Sequence, residues 1–423
     1  MDKVKEISIE DYNYPLPDDR IARHPAPGAR DTCRLLMSDA QGGITHHRFT
    51  DVADLLQAGT LLVRNNTRVI NARLKFRKET GATIEIFLLE PEEPSDYAQM
   101  FQATGSCRWH ALVGNLKRWK EGVLTKVTEA AGTQVTLTAR RLPSQAEGES
   151  IVELSWTPAS LPFSAVVESA GYIPIPPYLN RSSEAVDATD YQTVYSRIQG
   201  SVAAPTAGLH FTDETFRRLR ENGVETRDLT LHVGAGTFRS VKSDRIGEHE
   251  MHTETFVIDR SLVEALMENL REGRPIAAVG TTTVRTLESL PLLGIKLRNA
   301  HKENNTADDG GALPHLGQWD AYEMEQADTE EGLHGLLEQM DRLHTDSLTA
   351  STAIIIAPGF KWRVTEAMVT NFHQPKSTLL LLVASFLGDD TQWRKIYAEA
   401  LAEGYRFLSY GDGSLLFRLR NRH

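Results

Sequence analysis

The sequence predicts an α/β protein in which a layered α/β main domain carries an inserted, small antiparallel β-barrel domain. Two patterns indicate this fold class. In the second half of the chain, short apolar segments that suit buried strands alternate with segments that suit helices. Between residues 74 and 158, by contrast, short runs alternate apolar and polar residues between polar turns, which is typical of antiparallel strands. A core-strand pattern at residues 60–64 precedes these runs, so the barrel is predicted to interrupt one α/β domain.

These patterns divide the 423 residues into three parts. We expect residues 1–73 to form the first part of the α/β domain, residues 74–158 the barrel, and residues 159–423 the remainder. A chain of this length can build two or three domains, each with its own core.

Individual elements of the last part follow from local patterns of apolar residues and capping residues. In chain order we predict a helix from about Thr212, a strand at 253–258, a helix that Asp259 or Ser261 caps and that ends near Gly273, a strand at 276–279, a helix at 281–290 and a core strand at 354–356. The apolar run at 379–387 fits a helix and a strand equally well.

Negative charge is concentrated in an acidic elaboration at about residues 296–346. From Asp308 to Asp346 the chain has eleven acidic residues and one basic residue, against a formal net charge of −11 for the whole chain. The remainder is therefore nearly neutral, and it contains local basic clusters. Because phosphate binding depends on local charge, the overall charge does not exclude an RNA partner. The elaboration itself is expected to be an amphipathic helix on the surface, without chemistry of its own.

Composition excludes several classes of protein. With 40% hydrophobic and 24% charged residues, the chain is not a largely disordered one. Its two cysteines, Cys33 and Cys107, exclude a disulfide framework and a cysteine-based zinc site. The first residues lack the apolar core of a signal peptide, and the run at 379–387 is about half the length that spans a bilayer. We expect a soluble, cytoplasmic protein without a membrane partner.

Five segments are rich in Gly, Thr, His and Asn rather than in packing residues. They lie at 201–212, 231–238, 248–254, 279–288 and 369–378. Their candidate functional residues are Thr206, His210, His232, Gly234, Gly236, Glu248, His249, His252, Thr281, Thr282, Arg285, Asn371, His373 and Lys376. Small residues in the first segment let a ligand approach the backbone. The glycine and threonines of the fourth present N–H groups and hydroxyls to an anion at a helix start.

The second segment is only a weak match to a dinucleotide-binding turn, because Arg239 replaces the third glycine of G-x-G-x-x-G. Amides around Gly234 and Gly236 can still bind a nucleoside or a carboxylate.

The histidines of the third segment permit two interpretations. His249 and His252 are three residues apart, which is not the H-E-x-x-H spacing, yet His210 and His232 are available as further zinc ligands. Acid–base chemistry is favoured, because the unperturbed imidazole pKa of about 6.5 suits proton transfer without a metal. For Arg285, a plain i,i+3 ion pair with Glu288 is the structural alternative.

Taken in order, six segments resemble one family: SVAAPTAGLHFT, LHVGAGTF, EHEMHTE, AVGTTTVRTLES, TNFHQPKSTLL and YRFLSYGD. This is the S-adenosylmethionine:tRNA ribosyltransferase-isomerase family of queuosine biosynthesis. Earlier segments such as VRNNTRVINARL and GYIPIPPYLNR agree, so the resemblance covers nearly the whole chain. The sequence departs from the family pattern at Asn71, where proline is usual, and at about 296–346, which is longer and more acidic.

The resemblance implies an α/β domain with an inserted β-barrel. It also implies a transferase that moves and isomerises the ribosyl moiety of S-adenosylmethionine onto 7-aminomethyl-7-deazaguanine at the tRNA wobble position. The products would be epoxyqueuosine-tRNA, adenine and methionine. We therefore expect this tRNA and S-adenosylmethionine as partners. S-adenosylmethionine is consumed as a substrate, no further cofactor and no metal are expected, and the protein is expected to be a monomer.

The resemblance also suggests roles for the candidate residues. Proton transfers are assigned to His210, His232, Glu248, His249 and His252. S-adenosylmethionine binding is assigned to Thr206, Gly234, Gly236, Thr281, Thr282 and Arg285, with Asn371, His373 and Lys376 completing the pocket. Arg68 and Arg73 are assigned to tRNA phosphates. Two alternatives stay open: a zinc-dependent hydrolase that uses the histidine cluster, and a non-catalytic RNA-binding protein.

Overall fold

Two large β-sheets organise the structure, a computed structural model that describes residues 2–130, 132–143, 149–234, 243–302, 313–388 and 391–419. Its strands are β1 Arg34–Ser38, β2 Ile44–Arg48, β3 Leu61–Asn65, β4 Thr67–Val69, β5 Arg73–Arg77, β6 Thr83–Glu93, β7 Ser106–Gly114, β8 Val123–Ala130, β9 Thr133–Leu142, β10 Ser150–Thr157, β11 Gly171–Tyr172, β12 Ile198–Ser201, β13 Glu225–His232, β14 Glu254–Asp259, β15 Ile276–Val279, β16 His315–Leu316, β17 Ser347–Thr352, β18 Ala367–Asn371 and β19 Gly413–Phe417. Its helices are α1 Asp2–Lys5, α2 Val52–Leu55, α3 Tyr97–Gln102, α4 Phe163–Ala170, α5 Asp187–Asp190, α6 Asp213–Glu221, α7 Arg260–Arg271, α8 Thr281–Lys302, α9 Asp320–Glu323, α10 Thr329–Leu343, α11 Thr378–Leu387 and α12 Gln392–Ala402.

The larger sheet has ten strands in the order β16-β17-β14-β13-β3-β15-β18-β19-β1-β2. Its four central strands, β13, β3, β15 and β18, run parallel. β15 is buried along its whole length, as expected for a strand that is covered on both faces. The carboxyl ends of the central strands therefore meet at one edge of the sheet, where ligands of α/β proteins usually bind.

Helices cover both faces of this sheet. Successive residues of a strand point to opposite faces, so Leu61 and Val63 of β3 join the core that contains α7, α8, α10, α11 and α12, whereas Leu62 joins the core that contains α2 and α6. This arrangement confirms the α/β class that the second half of the sequence predicts.

The smaller sheet is entirely antiparallel, with seven strands in the order β11-β5-β6-β7-β10-β9-β8. It has a hydrophobic core of its own, in which Trp109 and Phe163 are buried. The sheet is curled, so that Lys75 of β5 and Lys126 of β8 approach the same ring, that of Tyr172. Within the described residues the ladder is nevertheless open between β8 and β11, because β11 has only two residues before the prolines of 173–178 remove backbone donors. The alternation at 74–158 thus corresponds to a curled half-barrel sheet.

Most of the locally predicted elements are confirmed. Thr212 caps α6 by accepting a hydrogen bond from the backbone of Thr215, and β14, α7 and β15 lie where the patterns place them. The apolar run at 379–387 forms the helix α11. Ser377 caps this helix, because its side chain accepts a hydrogen bond from the N–H of Leu380.

The predicted core strand at 354–356 is wrong. These residues are buried, but β17 ends at Thr352 and the backbone beyond it has other partners. The carbonyl of Ile354 accepts a hydrogen bond from Arg285, and the N–H of Ile355 donates to the carbonyl of Gln318. The segment is therefore fixed by a side chain and a loop rather than by a strand ladder.

The acidic elaboration contains the predicted amphipathic helix, α10, but this helix belongs to the main core. Its residues Leu333, Leu336 and Met340 are buried there. Glycines bring its backbone close to α8, since a Cβ atom at Gly294 would lie 1.7 Å from the carbonyl oxygen of Gly332. The described part of the elaboration is thus a structural layer as well as an acidic surface.

Candidate active site

A cleft of about 630 Å³ opens at the carboxyl edge of the parallel strands. Its walls come from the ends of β15 and β18, from the segments 203–207 and 249–253, and from the antiparallel sheet. Nine of the predicted site residues line it: Thr206, His249, His252, Thr281, Thr282, Arg285, Asn371, His373 and Lys376. The structure therefore brings together residues that are up to 170 positions apart in the sequence.

Two helices begin at this cleft. Gly280 has a φ angle of +89°, which allows the chain to turn directly from β15 into α8. Thr281 and Thr282, at the start of α8, and Ser377 and Thr378, at the start of α11, all line the cleft. Because helix amino termini present free N–H groups and a partial positive charge, this side of the cleft favours an anionic group.

A buried ion pair lies under the cleft, and its arginine, Arg285, is one of the lining residues. Arg285 donates from Nη1 to Glu254 Oε2 at 2.7 Å and from Nε to the carbonyl of Ile354 at 3.1 Å. Arg285 does not pair with Glu288, which instead accepts hydrogen bonds from the backbone of residues 363–365. Arg285 Nη2 has no partner among the described residues, so it remains available as a donor to a ligand.

His252 extends this pair. Its Nε2 lies 3.3 Å from Glu254 Oε1. Burial by itself would raise the pKa of Glu254, but Arg285 and then His252 lower it, and the net effect is a lowered pKa. Glu254 is therefore a carboxylate at neutral pH. Its Oε2 accepts the hydrogen bond from Arg285, and its Oε1 faces His252 at ion-pair distance.

The other two histidines of the cleft are shifted toward the neutral form. Burial lowers the pKa of His373 to about 4, and its Nε2 lies 2.9 Å from the hydroxyl of Thr370. Burial also lowers the pKa of half-buried His249, and the neighbouring His252 lowers it further. Both imidazoles can accept a proton without first losing one.

His210 lies behind the cleft rather than in it. It is buried, and its Nε2 is hydrogen-bonded to Asn371 Oδ1 at 2.8 Å, while Cys33 Sγ lies 3.3 Å from Nδ1. Asn371 also donates to the carbonyls of Leu408 and Ser409. Burial lowers the pKa of His210, so a neutral imidazole holds the Asn371 amide that faces the cleft.

Several other predicted residues also lie away from the cleft. His232 stacks on Tyr97 with ring centroids 3.7 Å apart, and Glu248 is exposed in the turn at 246–248. Gly234 does not line the cleft, and Gly236 lies outside the described residues.

Neither of the two predicted phosphate-binding arginines reaches the cleft. Arg68 is exposed on β4, and Arg73 on β5 is engaged by Glu85, with Nε 3.3 Å from Oε1.

The antiparallel sheet contributes two acidic residues to the cleft that the sequence patterns do not predict. Glu90 of β6 and Glu149, just before β10, both line the cleft. The surrounding protein displaces water from Glu90 and thereby raises its pKa, although His110 and His252 oppose the shift. No local motif marks these carboxylates, because only the packing of the two sheets brings them to the cleft.

The sequence of the chain matches a known protein family. A family model described as "Queuosine biosynthesis protein" matches residues 9–416. The chain belongs to the queuosine biosynthesis family. The match confirms the family that the six ordered sequence motifs predict.

Individual members of the queuosine biosynthesis family are similar to this one over almost their full length. The S-adenosylmethionine:tRNA ribosyltransferase-isomerase of Pelobacter propionicus is 38% identical over 96% of this chain and 99% of its own. The protein of that name from Dechloromonas aromatica is 36% identical over 97% of each chain. A solved S-adenosylmethionine tRNA ribosyltransferase from Thermotoga maritima is 27% identical over 96% of this chain and 100% of that one, with a TM-score of 0.45.

In this queuosine biosynthesis protein, the described residues contain no group of three or more His, Cys, Asp or Glu side chains that could hold a metal ion. None of the helices in the described ranges combines the length and apolar character that a membrane span requires.

Proposed function

We propose that the protein is an S-adenosylmethionine:tRNA ribosyltransferase-isomerase. It transfers and isomerises the ribosyl moiety of S-adenosylmethionine onto 7-aminomethyl-7-deazaguanine at the wobble position of tRNA, giving epoxyqueuosine-tRNA, adenine and methionine. One observation carries the proposal: a cleft with an anion-binding side and a set of acid–base groups, in a chain similar over its length to enzymes of that name. S-adenosylmethionine is consumed as a substrate, and no further cofactor is proposed.

The anion-binding side suits the methionine part of S-adenosylmethionine. Its carboxylate would accept hydrogen bonds from Thr281 and Thr282 at the start of α8 and from the unpartnered Nη2 of Arg285. Thr206, across the cleft, would contact the nucleoside. The acidic side chain of Glu149 would favour the positive sulfonium.

Proton transfer starts from the acidity of the ribose C5′ hydrogens beside the sulfonium centre. We assign their removal to His252. Glu254 Oε1 lies 3.3 Å from Nε2, so a proton on Nε2 would face the carboxylate and Nδ1 would be left to accept the substrate proton. This arrangement follows the general pattern of a base that a buried carboxylate orients.

The departing adenine needs a proton, and Glu90 is assigned this role. Its raised pKa keeps it protonated at a higher pH than an ordinary carboxyl group. His249 would take up the proton that the amine acceptor loses when it attacks, and His373 would complete the pocket. Asn371, fixed by His210, would orient the substrate.

The test uses tRNA that already carries the aminomethyl base, and S-adenosylmethionine labelled either in the ribose or in the methyl group. Ribose label in the tRNA, with methyl label released as methionine, is the expected result. Methyl label in the tRNA would identify a methyltransferase and overturn the proposal. The variant His252→Gln should lose transfer, whereas His24→Gln, which changes an exposed histidine outside the cleft, should retain it.

The same assay separates the two alternatives. A zinc-dependent hydrolase would bind stoichiometric zinc and lose its activity with a chelator. A non-catalytic RNA-binding protein would bind tRNA in a salt-dependent way and leave S-adenosylmethionine intact.

Three further expectations belong to this proposal. Residues 74–158 form the inserted β-barrel domain, between 1–73 and 159–423 of the α/β domain. The separate core of the antiparallel sheet supports a distinct unit, and this core also takes in Phe163 and Ala170 of α4. The enzyme works as a monomer. It acts in the cytoplasm.

A further inference from the structure

An exposed aromatic ring with two cations beside it lies on the antiparallel sheet. Tyr172 is 45% exposed, and the ammonium groups of Lys75 and Lys126 each lie 5.4 Å from its ring centroid. We propose that these three residues, the Tyr172 platform, bind the single-stranded part of the tRNA next to the base in the cleft. The ring stacks on a base and the lysines bind phosphates. This inference rests on the proposed function, because it names where the tRNA substrate docks.

The platform is built from three different strands that the curl of the sheet brings together. Lys75 is on β5, Lys126 on β8 and Tyr172 on β11. Lys126 Nζ donates to the carbonyl of Ala170 at 2.6 Å, which holds its ammonium group in place. Tyr172 pairs with Arg73 in the ladder, so its backbone is fixed as well. A site on rigid elements loses little conformational entropy when it binds a ligand.

Lys126 donates to a backbone carbonyl, but within the described ranges no acidic side chain neutralises either positive charge of the platform. Among the described residues, no carboxylate lies within 4.0 Å of either lysine ammonium. Glu85, which is opposite Lys75 in the ladder, is engaged by Arg73. Burial lowers the pKa of Lys126, and the repulsion from Lys75 lowers it further. A phosphate near the two ammonium groups would relieve this repulsion.

An exposed ring between cations fits single-stranded RNA better than an acidic protein. Bases stack on aromatic side chains whatever their identity, and the adjacent phosphates need positive charge within reach. An acidic peptide would use the two lysines but would gain little from a flat, exposed tyrosine ring.

The platform lies close enough to the cleft for one RNA single strand to reach both. Tyr178, six residues after Tyr172, lines the cleft and is hydrogen-bonded to Ser409. Six residues span at most about 20 Å, and residues 173–176 between them are buried. A few nucleotides of an anticodon loop can bridge this distance while one base occupies the cleft.

The test compares tRNA affinity in the full-length variants Tyr172→Leu, Tyr172→Phe and Lys75→Gln. Loss of one stacked base is expected to weaken tRNA binding by about 5- to 100-fold in Tyr172→Leu. Tyr172→Phe keeps a ring and should bind like the wild type. Lys75→Gln should reduce the slope of log Kd against log salt by about 0.7. Lys395→Gln, an exposed change on α12, is the matched control and should leave binding unchanged.

Two results would overturn the platform. One is equal tRNA affinity in Tyr172→Leu and Tyr172→Phe. The other is loss of S-adenosylmethionine binding together with tRNA binding in Tyr172→Leu, which would assign Tyr172 to the integrity of the cleft. Failure of the proposed function gives a different signature, since wild-type protein would then bind tRNA through Tyr172 but transfer no ribose label.

Discussion

Glu254 accepts a 2.7 Å hydrogen bond from Arg285, and both side chains are almost completely buried. Neither charge can be removed alone without leaving the other in a medium of low polarity. The pair is therefore expected to control stability as well as the orientation of His252.

The variant Glu254→Gln should destabilise the protein by about 3–5 kcal/mol, because Arg285 would become an uncompensated buried charge. Denaturant unfolding with a constant m-value would measure the change. Glu214→Gln breaks an exposed ion pair with Arg217 on α6 and should change the free energy of unfolding very little. Similar effects of the two variants would contradict the importance of burial.

Stability is also expected to fall in mild acid. Burial lowers the pKa of both His232 and His373 to about 4, whereas histidines of an unfolded chain titrate near about 6.5. The unfolded state therefore takes up protons first. The stabilisation is complete above about pH 6.5 and is lost as the pH falls toward about 4, by on the order of 3 kcal/mol per histidine.

Urea unfolding at several pH values between about 4 and 8 would show this slope. His232→Phe keeps the stack on Tyr97 and removes the titration, so its stability should depend less on pH. His24→Phe, at an exposed position, should keep the wild-type slope. An unchanged slope in His232→Phe would show that another group causes the acid sensitivity.

Glu90 gives a prediction for the pH dependence of the reaction. If it protonates the leaving adenine, activity is lost as the pH rises through its raised pKa. Glu90→Gln should lower kcat by about 10²- to 10⁴-fold and remove this basic limb from the kcat profile. Glu92→Gln is the matched control, since Glu92 is on the same strand but pairs with His110 outside the cleft. Wild-type kcat in Glu90→Gln would exclude the assigned role.

The glycine contact between α8 and α10 predicts a strong steric effect. Gly294→Ala places a methyl group 1.7 Å from the carbonyl oxygen of Gly332, so the helices must separate. We expect a loss of about 1–3 kcal/mol or more in the free energy of unfolding. At Gly114 the nearest atom to an added methyl group would be 3.5 Å away, and Gly114→Ala should be nearly neutral in thermal unfolding.

The sequence predicts an element correctly where residues close in the chain determine it, and incorrectly where distant residues do. The helix α6 follows from the cap at Thr212, and β15 from four consecutive apolar residues. At 354–356 the apolar residues are equally clear, but the hydrogen-bond partners come from Arg285 and Gln318, which are distant in the sequence. Apolar character therefore predicted burial correctly and the strand incorrectly.

The same distinction applies to the cleft. Segments that directly follow parallel strands, such as Thr281 after β15 and His373 after β18, were predictable, because strand ends converge at one edge. The sequence around His210 resembles the other candidate segments, but Asn371 lies between the His210 imidazole and the cleft. No sequence motif marks Glu90 as a cleft residue, because its position depends on how the antiparallel sheet packs against the ten-stranded sheet.

The cleft lies between two sheets that have separate hydrophobic cores, with Glu90 of β6 on one side and Thr281 at the start of α8 on the other. A ligand that contacts both walls links the melting of the two cores, because neither can unfold without releasing it. Calorimetry of the free protein should therefore resolve two thermal unfolding transitions. Their transition temperatures should approach each other as the cleft is saturated with ligand. The interval between the two transition temperatures then measures how completely a substrate or inhibitor bridges the two sheets.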